Sequence, residues 1–212
     1  MMTIPWKYIR QMKQKLLIIS FIFLLPPFTF AQKRGFNAGM LVGIVPSQVD
    51  GDSYSGYHKV GLQAGLFSEF VMNKRFSLLT EIKYINKGAK QVSKDNMFYY
   101  KSSLHYAEVP FSLQYRYKKG FSFNAGLAFG YLISYSENFG WGNVVVEPVF
   151  KRYEFSGFVG IGYQISEKLL IVNRFEYSIL PVRDYPLPST TIRDRGWNNN
   201  LILIGLYYKF AQ

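Results

Sequence analysis

Between Gly35 and Phe210 the chain alternates apolar and polar residues in eight separate stretches, and long polar loops take turns with very short ones between them. The last stretch shows the pattern most plainly. In Asn200-Leu-Ile-Leu-Ile-Gly-Leu-Tyr-Tyr-Lys-Phe210, the residues Ile202, Ile204, Leu206, Tyr208 and Phe210 share one face. A strand repeats every two residues, so this alternation gives each strand one apolar and one mixed face. Strands cross a bilayer only as a closed barrel, because an open edge leaves backbone donors and acceptors unpaired in hydrocarbon. The sequence therefore predicts an all-β fold over residues 32–212: an eight-stranded antiparallel up-and-down transmembrane β-barrel.

The preceding segment reads as an export signal. Lys7, Arg10, Lys13 and Lys15 precede an apolar run from Leu16 to Phe30, and Thr29-Phe30-Ala31 offers a cleavage site after Ala31. The run is shorter than the roughly 20 residues a spanning helix needs, and Pro26-Pro27 interrupts it. Residues 1–31 are thus expected to be a cleavable signal peptide. The chain has no cysteine, which excludes disulfides, thiolate metal sites and a lipoprotein anchor. Removing the signal leaves 21 Lys+Arg against 13 Asp+Glu, a formal charge of +8. An exported chain does not ordinarily meet nucleic acid, so none is expected as a partner. Outer-membrane lipid, lipopolysaccharide and an envelope protein are expected instead, and the protein is placed in the cell outer membrane.

Strands are expected at about 35–44, 58–70, 76–86, 103–117, 121–132, 152–165, 169–180 and 200–210. Short turns at 71–75, 118–120 and 166–168 alternate with long loops at 46–57, 87–102, 133–151 and 181–196, the rhythm of periplasmic turns and extracellular loops. The apolar faces point to lipid. The opposite faces carry Glu69, Glu81, Glu108, Glu154 and Glu176 with Lys83, Arg116, Arg174 and Lys209. A soluble lipocalin-like barrel would bury its apolar faces and expose these charges. An eight-stranded lumen is about wide enough to be filled by side chains, and unpaired buried charge is costly. The inward charges are therefore read as a pairing network that plugs the interior, with an ion path as the alternative.

Catalytic and metal chemistry find little support. Ser103 and His105 share an outward face, but a triad needs an acid to orient the histidine. The neighbouring outward positions, among them Thr80, Ile82, Tyr84, Leu127 and Phe129, supply none. Asp50-Gly-Asp52-Ser53 lacks the further oxygen ligands and distal glutamate of a calcium loop, and His58 has no second histidine nearby. No enzyme activity, metal or cofactor is expected. The loops hold aromatics and bases, and Tyr99, Tyr100, Lys101, Trp141, Arg193 and Arg195 are the candidate contact residues. Such residues suit protein or glycan contact, and equally suit anchoring at the lipopolysaccharide interface.

Taken in order, Asp50-Gly-Asp52, Gly56-Tyr-His-Lys-Val-Gly61, Glu81-Ile-Lys-Tyr84 with Lys87-Gly88, Tyr106-Ala-Glu-Val-Pro110 and Gly126-Leu-Ala-Phe-Gly-Tyr131 resemble the PorT-like outer-membrane β-barrel family of Bacteroidota. The resemblance runs over the whole mature chain and implies an eight-stranded outer-membrane barrel. The founding member is associated with gliding and type IX secretion, but most relatives have no assigned role, so no secretion function follows. The expected function is a plugged barrel acting as a structural or interaction component of the envelope through its extracellular loops. A small-solute channel and a lipid-modifying enzyme are the alternatives.

Overall fold

The computed structural model describes residues 35–52, 54–92, 99–140, 142–144, 146–184 and 196–210. Its strands are β1 (Phe36–Asp50), β2 (Lys59–Val71), β3 (Phe76–Lys87), β4 (Lys90–Val92), β5 (Tyr99–Arg116), β6 (Phe121–Asn138), β7 (Asn143–Val144), β8 (Tyr153–Gln164), β9 (Leu169–Ser178) and β10 (Asn198–Lys209). The short β4 and β7 pair only with the outer ends of β5 and β6. The other eight form the wall, each antiparallel to its neighbours, and β10 closes the sheet against β1. The barrel expected from the alternation is what forms.

The pairing also fixes the barrel's shape. Paired residues lead from Phe76 through Tyr115, Phe123, Ile161, Asn173, Ile204 and Ile44 to Leu62. Leu62 adjoins the Gln63–Ile85 pair, so one circuit re-enters β3 at Asn86, ten residues beyond its start. With strands about 4.8 Å apart and a rise of about 3.3 Å per residue, that stagger tilts the strands by about 40° and sets a backbone radius of about 8 Å. Such a bore is small enough for long side chains to meet across it.

Alternation sorts the side chains. On β3, Ile82 is 63% exposed while its neighbour Glu81 is 1% exposed. Outward apolar residues continue round the wall, the reverse of a soluble core. Phe36, Phe70, Phe76, Tyr115, Phe121 and Tyr163 collar the end with the short turns; Tyr84, Phe129, Tyr131 and Tyr153 collar the other. Phe76 and Tyr84 are eight residues apart on β3, which spans about 20 Å of height at this tilt.

Three strands run four or more residues further than expected. β1 continues past Ile44 to Asp50, β6 continues past Leu132 to Asn138, and β5 begins at Tyr99 rather than Ser103. Just beyond the outer collar the inward face also carries an apolar cluster. Val45, Ile85, Leu104, Leu132, Leu201 and Leu203 point inward as a dry cluster, joined by Phe150 and Val182 from the loops. Outward apolarity, the cue to strand extent, stops at the membrane boundary, whereas backbone pairing does not.

Candidate functional site

The inward charges form three tiers along the lumen. At the periplasmic tier, Glu69 accepts from Arg116 Nη2 at 2.5 Å and Ser77 Oγ at 2.9 Å on one oxygen. Its other oxygen meets Lys209 Nζ at 2.9 Å and Asn37 Nδ2 at 2.9 Å. In the middle tier, Glu81 pairs with Arg174 Nη2 at 2.6 Å and accepts from the Tyr207 hydroxyl at 3.0 Å. Arg174 also donates through Nε to Asn124 Oδ1 at 3.0 Å and lies over the Phe158 ring. Gly160 makes room for it, since a Cβ there would stand 2.6 Å from Arg174 Cγ. Lys83 joins Glu108 at 3.1 Å and donates to Gln63 at 3.2 Å.

Lys87 is the hub of the third tier. Its ammonium lies 2.6 Å from Glu108 Oε2, 3.2 Å from Glu154 Oε1 and 2.8 Å from Glu176 Oε1, joining β3 to β5, β8 and β9. The Glu108 contact is close in distance but bent in angle, so it is an ion pair, whereas the other two are aligned hydrogen bonds. Ser156 Oγ donates to the same Glu176 oxygen at 3.0 Å, and Asn199 Nδ2 donates to the other oxygen of Glu154 at 3.0 Å. The sequence pattern places Lys87 in the loop 87–102; in the structure it is the last inward residue of β3 and wholly buried.

Above this tier the loops fold into the barrel mouth. Arg183 is 1% exposed, pairs with Glu137 Oε1 at 2.8 Å, and donates to the carbonyls of Val146 and Pro148. Its guanidinium lies 4.7 Å from the Phe150 ring centre and 4.4 Å from that of Trp197. The Tyr100 hydroxyl donates to the same Glu137 oxygen at 3.1 Å, and its ring contacts Tyr54 and Phe139.

Residues 30–183 match the family described as outer membrane protein beta-barrel domain. The chain belongs to that family. It is an outer-membrane β-barrel protein, and two solved barrels agree with its fold. Ail, the attachment invasion locus protein of Yersinia pestis, is 13% identical, with a TM-score of 0.50 over 84% of this chain and 100% of Ail. Neisserial surface protein A is 10% identical, with a TM-score of 0.50 over 84% of this chain and 100% of its own. No curated protein matches the sequence.

Within this outer-membrane barrel, Glu69, Glu81, Lys83, Glu108, Arg116, Glu154, Arg174 and Glu176 all point into the lumen, Arg116 only partly buried at its periplasmic mouth. The loop candidates divide. Tyr100 is corrected from an exposed contact to a packing residue: it is 1% exposed because β5 continues outward and turns it into the loop core. Tyr99 is half-buried and Lys101 exposed. Trp141, Arg193 and Arg195 lie outside the described residues, as does the signal peptide expected over 1–31. The sequence pattern places none of Lys87, Glu137 and Arg183 on the inward face. His105 sits at the rim, where its Nδ1 is 2.6 Å from the Tyr84 hydroxyl and 3.4 Å from Asn86 Nδ2.

Asp52, in the loop between β1 and β2, adds a pH-sensitive element. One carboxyl oxygen accepts from the Tyr54 backbone N–H at 2.9 Å, while the other has no hydrogen-bond partner among the described residues. Burial pushes its pKa up to about 7 despite the Tyr54 hydrogen bond, and the Asp50 and Glu137 charges add to the rise. A folded pKa above the unfolded value near 3.9 favours the folded loop below about pH 4, and this contribution is lost progressively as pH rises from there through about 7. Asp52→Asn should therefore stabilise the loop more at pH 8 than at pH 5, the difference being at most about 3 kcal/mol. Hydrogen exchange of residues 50–58 at the two pH values checks this; equal protection of both proteins at pH 8 would refute it.

Proposed function

We propose that this protein is a plugged, non-catalytic barrel that serves as a structural or interaction component of the envelope, engaging a partner through its extracellular face. The carrying observation is Lys87, fully buried among carboxylates from three other strands. An ion path needs mobile, hydrated charge, whereas here the charged groups hold one another across a bore of about 8 Å backbone radius. The loop core around Arg183 and Tyr100 supports the same reading by packing side chains over the extracellular mouth. Lys101 and Tyr99 remain accessible for contact, and loops on a rigid scaffold are where such contacts reside. The contacts of His105 support a rim residue in an aromatic collar rather than a lipid-hydrolysing base. Export by a signal peptide cleaved after Ala31 and PorT-like kinship within Bacteroidota complete the proposal.

Two measurements test it together. Pure protein in planar bilayers should give no stable large-conductance openings. A variant lacking residues 186–194 should assemble normally yet lose any envelope protein that the full chain retains in mild detergent. Steady single-channel currents from the full chain would put a small-solute channel in place of this reading.

A further inference from the structure

A second polar site lies on the outside of the wall, at the extracellular edge of β2 to β5. A cavity of about 320 Å³ opens there among His58, Lys59, Asn86, Lys90, Lys101 and Ser103. Lys59 is only 3% exposed, its stem lies against Gly88, and its ammonium donates to Asn86 Oδ1 at 2.5 Å. Lys90 and Lys101 stand directly opposite each other in the β4–β5 ladder. Like charges in that position repel unless an anion lies between them. Among the described residues, none of these three lysines forms a salt bridge, whereas Lys83, Lys87, Arg174 and Arg183 inside the barrel all do.

The depth of the cavity narrows the choice of anion. Asn86, on its wall, is two residues beyond Tyr84 of the outer aromatic collar, and His105 beside it stacks on Tyr84 with ring centres 5.9 Å apart. Val60, also lining the cavity, begins the exposed apolar face that continues through Leu62. The cluster thus stands where the apolar band ends and lipid headgroups begin. Lysine ammonium groups carry three N–H donors each, and the Ser103 hydroxyl adds a neutral one, a set matched to a multiply charged oxyanion.

We infer that this cavity binds a phosphate monoester carried by an outer-leaflet lipid, of the chemistry found on lipid A, with its acyl chains lying down the wall below Val60. This goes beyond the partner-binding reading and needs only that the barrel stand in the outer membrane. The test uses the full chain in detergent, presented with bisphosphorylated lipid A, with the same lipid stripped of phosphate, or with inorganic phosphate, and native mass spectrometry to count what stays bound. One equivalent of the bisphosphorylated lipid should survive dilution. A K90Q/K101Q variant, both positions lying outside the lumen network, should retain at least tenfold less while keeping its heat-modifiable gel migration. Equal retention by that variant, or of the dephosphorylated lipid, would overturn the inference. Inorganic phosphate binding as tightly as the lipid would also overturn it, since the site would then read a free anion.

Discussion

Replacing Lys87 with methionine is expected to abolish the heat-resistant folded form of the barrel in detergent and to lower its unfolding midpoint sharply in lipid vesicles. The substitution keeps most of the side-chain volume but removes the cation that Glu108, Glu154 and Glu176 share. Removing one partner from a buried ion pair costs about 3–5 kcal/mol, because the remaining charge is left desolvated. Here three carboxylates lose their cation at once, and among the described residues only Glu108 keeps another, Lys83. Against a total stability of about 5–15 kcal/mol for a typical domain, that loss is decisive. The cause can be separated from packing by adding Glu154→Gln and Glu176→Gln to the same variant. Neutral amides at these two positions leave Glu108 as the one carboxylate of the three still charged, and Lys83 still pairs with it, so the triple variant should recover most of the lost midpoint. An unchanged midpoint in the single variant would remove the interior network as an account of what holds the lumen.

Lys87 also shows what a local reading of the sequence captures and where it stops. The inward parity of β3, carried by Glu81, Lys83 and Ile85, reaches Lys87 after one more step. Ending the strand at Asn86 hid it, and extending the alternation by one period would have found it. Tyr100 belongs to the same class, since it keeps the inward parity of Leu104 and Tyr106 on β5. Glu137 does not. The register between β5 and β6 shifts at His105/Tyr106, and Ile133 and Ser134 are both exposed there. After the irregularity, odd-numbered residues of β6 face inward, so simple alternation places Glu137 on the wrong side. Arg183 is different again. It lies in a loop with no periodicity, held by an isolated bridge to Trp197 and by carbonyls about 35 residues earlier in the chain. Strand number, face and wall composition follow from residues two apart, whereas the mouth depends on contacts between loops that no local pattern encodes.

Those loop contacts make Arg183→Ala the second large effect, and one of a different kind. The guanidinium is the donor for Glu137 and for the Val146 and Pro148 carbonyls, and it fills the space between Phe150 and Trp197. Among the described residues, truncation leaves a buried carboxylate with only Tyr100 to hold it and strands two carbonyl oxygens, at a cost of about 3–5 kcal/mol. Lost cation–π contact adds about 1 kcal/mol or more in a desolvated setting. All of these partners lie beyond the outer aromatic collar, so the penalty should fall on the mouth. The transmembrane strands keep their own pairing and the Lys87 tier beneath. The variant should therefore assemble and retain its heat-modifiable gel shift, yet become rapidly cleaved by protease added outside, within 139–152 and 180–197. Arg183→Lys should restore the charge opposite Glu137 but not the forked donation to the two carbonyls, giving intermediate protection. If the alanine variant resists protease like the native protein, the mouth is held by its apolar cluster alone. If it fails to assemble, the loop core is part of the barrel's folding rather than a cover laid over it.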